Sequence, residues 1–186
     1  MWLLTVAAAW ALPGPTTAYA VVQDANPRVE CATLADGPWC RSIGTIDRPI
    51  DRVAAVLEDM PKFRDRFPRI LALEMLEPDT LHVVLDYPAG LSDRDYVARY
   101  TKTTDGDARL LRWVPVTHPK APETDGVVRL PRMAGEWRLE PVDADTTRVT
   151  YLWQAEIGGS FPTFLAARAR SMTGTEALSD LAAATR

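Results

Sequence analysis

Few residues in this sequence are of the types that carry out chemistry in proteins. Its two histidines are His82, in the middle of a predicted strand, and His118, beside Pro119 in a predicted loop. No base stands in a recognisable order with the candidate nucleophilic serines, which are Ser92, Ser160, Ser171 and Ser179. No phosphate-binding loop or metal motif occurs, and two cysteines with two separated histidines do not form a zinc site. The sequence therefore predicts no catalytic residue, no metal site and no cofactor.

The two cysteines, Cys31 and Cys40, flank a predicted hairpin turn at Leu34-Ala35-Asp36-Gly37. If the turn is centred on Ala35-Asp36, the cysteines stand directly opposite each other, where cross-strand Cβ atoms are near disulfide distance. We expect a disulfide, and a disulfide favours an oxidising compartment. The alternative is a pair of reduced, buried thiols in a cytosolic protein.

The first twenty residues have the features of a secretory signal peptide. An apolar run over 2–12 is too short to span a bilayer, Pro13-Gly14-Pro15 ends it, and Ala18-Tyr19-Ala20 is a small-x-small cleavage signature. No Lys or Arg precedes the run, and the alternative is a buried N-terminal helix. We expect a signal peptide at 1–20 and one domain at 21–186, exported to the periplasm or secreted.

Charge and composition narrow the possible partners. The chain has 186 residues and a net charge of −4, with acidic and basic residues interspersed. Because no cluster of Lys and Arg is present, a nucleic-acid partner is not expected. The length is sufficient for a single domain with a substantial core.

The strongest structural pattern is the stretch from Tyr87 to Tyr100. A β-branched run predicts a strand that ends at Tyr87, Pro88 and Gly90 predict a turn, and Arg94 begins another strand. Further patterns predict strands at 70–76, 81–87, 94–103, 109–115, 127–142 and 147–157, with helices at 47–60, at 62–66 and from 160 onward. We therefore expect an α+β fold in which a curved antiparallel meander is covered by the C-terminal helix. The apolar loop that begins at Pro88 is either a lid or an ordinary hairpin connection.

Residues 88–97, PAGLSDRDYV, resemble the P-x-P-L-S-x-R-D-F-V stretch of the START family, the steroidogenic acute regulatory protein-related lipid transfer domains. Other segments resemble later parts of that family in the same order: 116–119 with Pro122 and 126–129, then 135–141, 147–151 and 158–162. Together they cover about residues 47–184. The resemblance implies the helix-grip fold, a curved antiparallel β-sheet wrapped around a long C-terminal α-helix, with a cavity for a hydrophobic ligand.

The candidate ligand-binding residues are large side chains that alternate onto the inner face of the strands, together with residues of the final helix. They are Tyr96, Tyr100, Leu111, Trp113, Trp137, Tyr151, Trp153, Phe164 and Arg168. Taken singly, each is more typical of a packed core than of a ligand contact. As a set, and with the family resemblance, they predict a chamber for a lipid or sterol-like molecule.

The loop after the strand ending at Tyr87 is the candidate gate of this chamber, and its residues are Pro88, Ala89, Gly90, Leu91 and Ser92. We expect it to move against the helix around 161–172. Arg94 and Asp95 must face opposite sides of their strand. We expect Arg94 to hold the loop through backbone carbonyls or a carboxylate, and Arg129 to form a structural ion pair.

Some family members carry an acidic and a basic residue inside the cavity, and the aligned positions here are Leu81 and Tyr100. We therefore expect a more apolar chamber whose polar contact is Tyr100 or another hydroxyl. The predicted function is binding, and transfer, of a hydrophobic molecule by an exported monomer that contacts membranes transiently and is not an enzyme. The alternatives are a polyketide cyclase or aromatase of the same superfamily, and a filled-core domain that acts through its surface.

Overall fold

Ten strands and three helices make up the part of the chain that the computed structural model describes, which is residues 11–88, 90–159 and 161–186. The strands are β1 (Ala20–Gln23), β2 (Arg28–Leu34), β3 (Gly37–Ile46), β4 (Ile70–Glu77), β5 (Thr80–Leu85), β6 (Arg94–Asp105), β7 (Ala108–Pro115), β8 (Val128–Arg129), β9 (Gly135–Pro141) and β10 (Thr147–Gln154). The helices are α1 (Ile50–Glu58), α2 (Phe63–Arg66) and α3 (Ala166–Ala184), with 3-10 turns at Met60–Lys62 and Thr163–Leu165.

The strands form one sheet in the order β1-β2-β3-β10-β9-β7-β6-β5-β4, and each neighbouring pair is antiparallel. The run from β4 to β7 is the predicted meander, whereas β3 pairs with β10 from the far end of the chain. The prediction of one kinked strand over 127–142 is wrong. The chain leaves the sheet between β8 and β9 because a turn begins at Pro131, which has no N–H to donate. The short β8 pairs in parallel with the start of β6.

Helix α3 lies on the concave face of the sheet and packs mainly on β1, β2, β3 and β10. The contact is closest at Gly174, where an added Cβ would lie 2.9 Å from Trp153 and 3.1 Å from Val29. The sequence predicts a bend or break at Gly174, but α3 is continuous. The missing side chain instead allows the helix to approach the sheet. Leu178 and Leu181, one and two turns later, are buried.

Helix α1 covers another part of the same face and packs on β7, β9 and α3. Its apolar residues recur at helical spacing, and Val53 and Leu57 are buried against the core. The sequence suggests Asp47 as the cap of α1, but the helix begins directly after Pro49 and has no side-chain cap. The short α2 follows and buries Phe63.

The β2–β3 hairpin contains the predicted disulfide. Cys31 and Cys40 are paired across the two strands, with their Cα atoms 4.1 Å apart. Residues 1–10 of the predicted signal peptide lie outside the described residues, and β1 begins at Ala20, the last residue of that segment. Among the described residues, no helix is both long enough and apolar enough to cross a membrane.

Replacing Cys31 and Cys40 together with serine should lower the free energy of unfolding by about 2–3 kcal/mol, because the disulfide restricts a short loop in the unfolded chain. Denaturant unfolding followed by circular dichroism measures this change. The wild-type protein in a reducing agent should show the same loss. Equal unfolding midpoints for the oxidised, reduced and serine forms would show that the disulfide does not stabilise the domain.

Candidate ligand-binding site

A cavity of about 120 Å³ lies between the concave face of the sheet and the helices α2 and α3, and we call it the inner cavity. Five of the predicted ligand-binding residues line it together: Tyr96, Tyr100, Trp113, Trp137 and Tyr151. Phe63 and Phe67 close it from the side of α2, and Ile70 on β4 and Leu85 on β5 close it from the sheet. Its walls on these sides are therefore largely aromatic and aliphatic.

The aromatic wall follows from the strand register. Tyr100 on β6 stands opposite Trp113 on β7, and Trp137 on β9 stands opposite Tyr151 on β10. The ring centroids are 6.0 Å apart for Tyr100 and Trp113, 5.8 Å for Trp113 and Tyr151, and 4.3 Å for Trp137 and Tyr151. These contacting rings cover much of the concave face, and the inner cavity is the space that they leave beneath α3.

Several residues that line the inner cavity carry buried hydroxyl or indole groups. The hydroxyl oxygens of Tyr96 and Tyr100 lie 3.4 Å apart. Burial raises the pKa of Tyr96, Tyr100 and Tyr151, so these phenols stay protonated. The indole Nε1 of Trp113 is buried and has no hydrogen-bond partner among the described residues. Because an unpaired buried donor is unfavourable, a ligand acceptor that reached it would bind favourably.

Helix α3 brings two carboxylates to the inner cavity that the sequence analysis does not predict. Glu176 and Asp180 line it with Thr173 and Ala177. These four residues share one helical face, but the polarity of that face is typical of a solvent-exposed surface. Arg69, just before β4, donates hydrogen bonds of 2.7 and 2.8 Å to the two oxygens of Glu176. The chamber is thus more polar than expected.

The environment of Asp180 differs from that of Glu176. Asp180 lies one turn further along α3 and forms no ion pair with another described residue. Burial, and then repulsion by the Glu176 carboxylate, raises the pKa of Asp180, while Arg69 opposes this in part. The inner cavity is therefore lined by one carboxylate that is paired with an arginine, Glu176, and by one whose raised pKa favours its protonated form, Asp180.

A larger space of about 400 Å³ opens between the predicted gate loop and the N-terminal half of α3, and we call it the outer pocket. Pro88, Gly90 and Leu91 line one side, and the other side includes Phe161, Leu165, Arg168 and Met172. Ala89 lies outside the described residues, and Ser92 is exposed and does not line the pocket. The outer pocket and the inner cavity share Arg69 and Thr173 as lining residues.

Three of the predicted ligand-binding residues line neither the inner cavity nor the outer pocket. The side chain of Phe164 is 82% exposed, because Phe164 lies in the 3-10 turn before α3 rather than on the helix. Leu111 is buried beside α1 and lines a separate groove of about 450 Å³. Trp153 is covered by Gly174 and lines a void of about 50 Å³. The concave face is therefore divided among several spaces instead of forming one wall.

Arg94 holds the base of the predicted gate loop and is 1% exposed. Its guanidinium donates hydrogen bonds to the carbonyls of Ile157, at 3.2 Å, and Gly158, at 3.4 Å, and to the carbonyl of Ser92. The guanidinium carbon also lies 4.2 Å from the centre of the Tyr87 ring. Arg94 thus connects both ends of the loop to the segment that follows β10.

Asp95 faces the opposite side of β6 and is the centre of a buried ion cluster. It accepts hydrogen bonds of 2.8 and 2.7 Å from Arg129, and Nε2 of His82 lies 2.7 Å from its carboxylate. Asp95 is only 2% exposed because β8 and the loop before it cover this face. Burial alone would raise the pKa of Asp95, but the hydrogen bonds from Arg129 and His82 outweigh it and hold the pKa below its usual value.

A curved sheet that wraps around a C-terminal helix and leaves a cavity between them defines the helix-grip class of proteins. The profile of the START domain family matches residues 2–184, and this chain belongs to that family. The STAR-related lipid transfer protein of Xanthomonas axonopodis is 30% identical, with a TM-score of 0.75 over 90% of this chain and 98% of that one. Human StAR-related lipid transfer protein 5 is 16% identical, with a TM-score of 0.79 over 91% and 87%. The family and the fold predicted from the sequence are thereby confirmed.

Two further proteins are similar to this chain over a smaller part of its length. The Zhui aromatase/cyclase of a Streptomyces species is 20% identical with a TM-score of 0.55 over 79% of this chain and 92% of that one, a likeness of fold alone. An uncharacterised protein of Pseudomonas aeruginosa is 35% identical over 82 residues. That alignment covers 44% of this chain and 41% of the Pseudomonas protein, which is less than half of its length.

Replacing Asp95 with Asn should destabilise the protein by about 3–5 kcal/mol, because the largely buried guanidinium of Arg129 loses its countercharge. The folded-state pKa of Asp95 lies below the unfolded-state value, so the ionised form stabilises the fold above about pH 4. That stabilisation is lost as the pH falls through the lower, folded-state pKa. Urea unfolding should therefore show a steeper loss of stability below about pH 4 for the wild type than for Asp95→Asn.

Asp105→Asn is the matched control for this experiment. Asp105 also pairs with an arginine, Arg138 at 3.0 Å, but its side chain is 66% exposed. Its replacement should change the stability by less than about 1 kcal/mol. If Asp95→Asn were as stable as Asp105→Asn across this pH range, the buried cluster would not be a stabilising element.

Proposed function

We propose that this protein binds one hydrophobic small molecule of the lipid or sterol-like class between the sheet and α3 and acts as its carrier. The observation that carries this proposal is the inner cavity of about 120 Å³ beneath α3, walled by aromatic side chains and adjoining an outer pocket of about 400 Å³. A filled-core domain would leave no space beyond that of a single water, about 30 Å³. Membership of the START family supports the same proposal.

The driving force for binding is the removal of apolar ligand surface from water. Burying a few hundred Å² of such surface yields on the order of 10 kcal/mol before the loss of ligand freedom is subtracted. The rings of Tyr100, Trp113 and Trp137 offer rigid apolar walls that lose little entropy when a ligand binds. Binding, without any chemical step, is sufficient for a carrier.

The polar end of the ligand is expected to meet the buried donors of the inner cavity. The unpaired Nε1 of Trp113 and the protonated hydroxyls of Tyr96 and Tyr100 are donors to a carbonyl, ester or hydroxyl oxygen. A ligand with such an oxygen at one end would accept hydrogen bonds from these donors, and its apolar body would pack against the aromatic walls. No charged group of the ligand would then lie against the aromatic rings.

Access to the chamber requires a moving part, and the loop over 88–92 is the proposed gate. Of this loop, Pro88, Gly90 and Leu91 line one side of the outer pocket, and Phe161, Leu165 and Met172 line the facing side. Because Arg94 fixes the base of the loop to the segment after β10, movement would be confined to the loop and the start of α3. A gate of this kind exchanges the ligand while the sheet remains intact.

The region around the gate also has the properties of a transient membrane contact. The side chain of Phe164 is 82% exposed and that of Met172 is 42% exposed, and Arg168 lies on the same end of α3. Exposed apolar side chains beside a cation suit the interface of a bilayer with acidic lipids. We propose that a monomer touches the membrane with this end while the ligand passes.

A cyclase or aromatase activity is the second candidate, and one observation favours it. Glu176 and Asp180 place carboxylates in the inner cavity, and the raised pKa of Asp180 is typical of a general acid. An enzyme would release a chemically altered product, whereas a carrier would return its ligand unchanged. Mass spectrometry of a ligand before and after incubation with the protein separates the two.

The test of ligand binding uses Ala177, which lies on α3 and lines the inner cavity. Ala177→Phe should fill that space and reduce the affinity for hydrophobic probes at least tenfold, because the new ring occupies the volume of the ligand. Wild-type protein purified from its native host should yield about one hydrophobic molecule per chain in an organic extract. The variant should yield almost none, as measured by mass spectrometry.

Ala183→Phe is the control, because Ala183 is exposed on the same helix. This variant should retain its ligand, and both variants should keep the circular dichroism spectrum of the wild type. A wild-type extract that contains no hydrophobic molecule, together with no binding of added fatty acid or sterol probes, would contradict the proposed function.

We also propose that the protein is exported and that residues 1–20 are removed as a signal peptide. The disulfide between Cys31 and Cys40 supports an oxidising compartment. Strand β1 begins at Ala20, so cleavage after this residue would keep nearly all of that strand. The family match begins at residue 2, within the predicted signal peptide, so the mature N-terminus has to be measured directly.

Expression of the full chain in a Gram-negative host should give a mature protein that starts at Val21 and is recovered from the periplasm or the medium. Intact-mass analysis should also give a mass lower than that of the reduced chain by two hydrogen atoms, which are lost when the disulfide forms. A cytoplasmic protein that retains residues 1–20 and has free thiols would contradict the export proposal without affecting the ligand proposal.

A further inference from the structure

One ion pair stands where three internal spaces meet. Arg69 and Thr173 both line the inner cavity, the outer pocket and the void of about 50 Å³ beside them. Arg69 belongs to the connection between α2 and β4, and it binds Glu176 on α3 through two hydrogen bonds of 2.7 and 2.8 Å. A third hydrogen bond, of 3.1 Å, goes to the carbonyl of Asp86, the residue after β5. Arg69 therefore ties the edge of the sheet to α3 across the boundary between the spaces.

The exposure of this pair suits a contact that opens and closes. The side chains are 31% exposed for Arg69 and 38% for Glu176, so water reaches both partners. Ion pairs of this exposure contribute little to stability and exchange with water without unfolding the protein. The two parallel hydrogen bonds nevertheless hold Arg69 and Glu176 in one defined geometry when the pair is formed.

The sizes of the spaces show why their separation matters. Ligand pockets in proteins are commonly about 300–1,000 Å³. The inner cavity, at about 120 Å³, is smaller than that range, and the outer pocket, at about 400 Å³, is near its lower end. A molecule too long for either space alone therefore fits only if the boundary at Arg69 opens and the two spaces become one.

We propose that the Arg69–Glu176 ion pair is a latch that divides a single ligand chamber into two parts, and that the ligand is an elongated amphiphile that occupies both parts once the latch opens. This inference rests on the proposed function, since it concerns how the same ligand enters and how long it is. It assigns to Arg69 and Glu176 a gating role in addition to the loop over 88–92. Breaking this ion pair contributes to the kinetic barrier for ligand entry. The separation of Arg69 from Glu176 is the smallest movement that ligand entry requires.

The first test follows the kinetics of a fluorescent single-chain fatty acid, labelled at the end of its chain, by stopped flow. In Arg69→Ala and in Glu176→Gln, the association rate constant should rise about two- to fivefold, or about 0.4–1 kcal/mol, because the ion pair no longer has to be broken before loading. The dissociation rate constant should change less than about twofold, since the latch is already open in the loaded protein, and the dissociation constant should therefore fall about two- to fivefold. Loss of a residue that only contacts the bound ligand would instead raise the dissociation rate constant and the dissociation constant.

The charge-swapped double variant, Arg69→Glu with Glu176→Arg, should return both rate constants to within about twofold of the wild type. Arg138→Ala is the matched control, because Arg138 is also 31% exposed and pairs with Asp105 outside the chamber. Its rate constants should equal those of the wild type. Thermal unfolding of every variant ensures that the rates are compared between folded proteins.

A second test needs no ligand. Acrylamide quenching of tryptophan fluorescence includes the access to Trp113 and Trp137, which line the inner cavity, and the other four tryptophans of the chain give a background that all variants share. Quenching should increase in Arg69→Ala and remain unchanged in Arg138→Ala. If the wild type bound no probe, the proposed function would be contradicted, and quenching alone would decide whether the latch exists. If the rates and the quenching of Arg69→Ala equalled those of Arg138→Ala, the latch would be refuted.

Discussion

The contact between α3 and the sheet at Gly174 is the constraint on which the candidate site depends. A straight helix follows a curved sheet closely over only part of its surface, and here it does so against β2, β3 and β10. Leu178, one turn later, lies against Gly44 on β3. Because the helix is held to this half of the sheet, a gap remains over β6, β7 and β9. The inner cavity is that gap, reduced by the aromatic side chains that project into it.

A second glycine determines how those aromatic side chains lie. A Cβ at Gly135 would be 2.3 Å from the Trp113 ring and 2.3 Å from the carbonyl of Leu152, so no larger residue fits there. Because Gly135, at the start of β9, has no side chain, the Trp113 indole can lie close to the backbone of the sheet. Tyr100 and Tyr151 then stack on its two sides. Gly135 thus allows a packed aromatic layer on the concave face, and Gly174 holds α3 where an open space remains above that layer.

The parts of this structure that local patterns encode could be predicted from the sequence. Strand alternation predicted the inner-facing positions of Tyr96, Tyr100 and Tyr151, and the turn at Ala35-Asp36 placed the two cysteines opposite each other. The face of α3 that meets the cavity could not be predicted, because the rotation of a helix about its axis depends on its tertiary contacts. Here the contact at Gly174 turns Glu176 towards the cavity and leaves Met172 exposed.

Long-range pairing explains the remaining differences. Strand parity showed that Arg94 and Asp95 face opposite sides, and parity alone suggests that one of them meets solvent. Both are buried, because β8 returns from a distant part of the chain to cover the side of Asp95. The role of Arg69 was equally hidden, since it lies in a connection with no periodic pattern and its partner is 107 residues away. Residues whose partners are so distant in sequence give no local signal.

The charges at the inner cavity limit what can occupy it. Glu176 is balanced by Arg69, and the pKa of Asp180 is raised by burial, so the chamber tends towards electrical neutrality. Placing an apolar ligand over Asp180 would remove more water from it and favour its protonated form further. An anionic group beside these two carboxylates would be repelled, whereas Arg168 in the outer pocket would attract it. The electrostatics therefore favour a neutral portion of the ligand in the inner cavity and any anionic portion in the outer pocket.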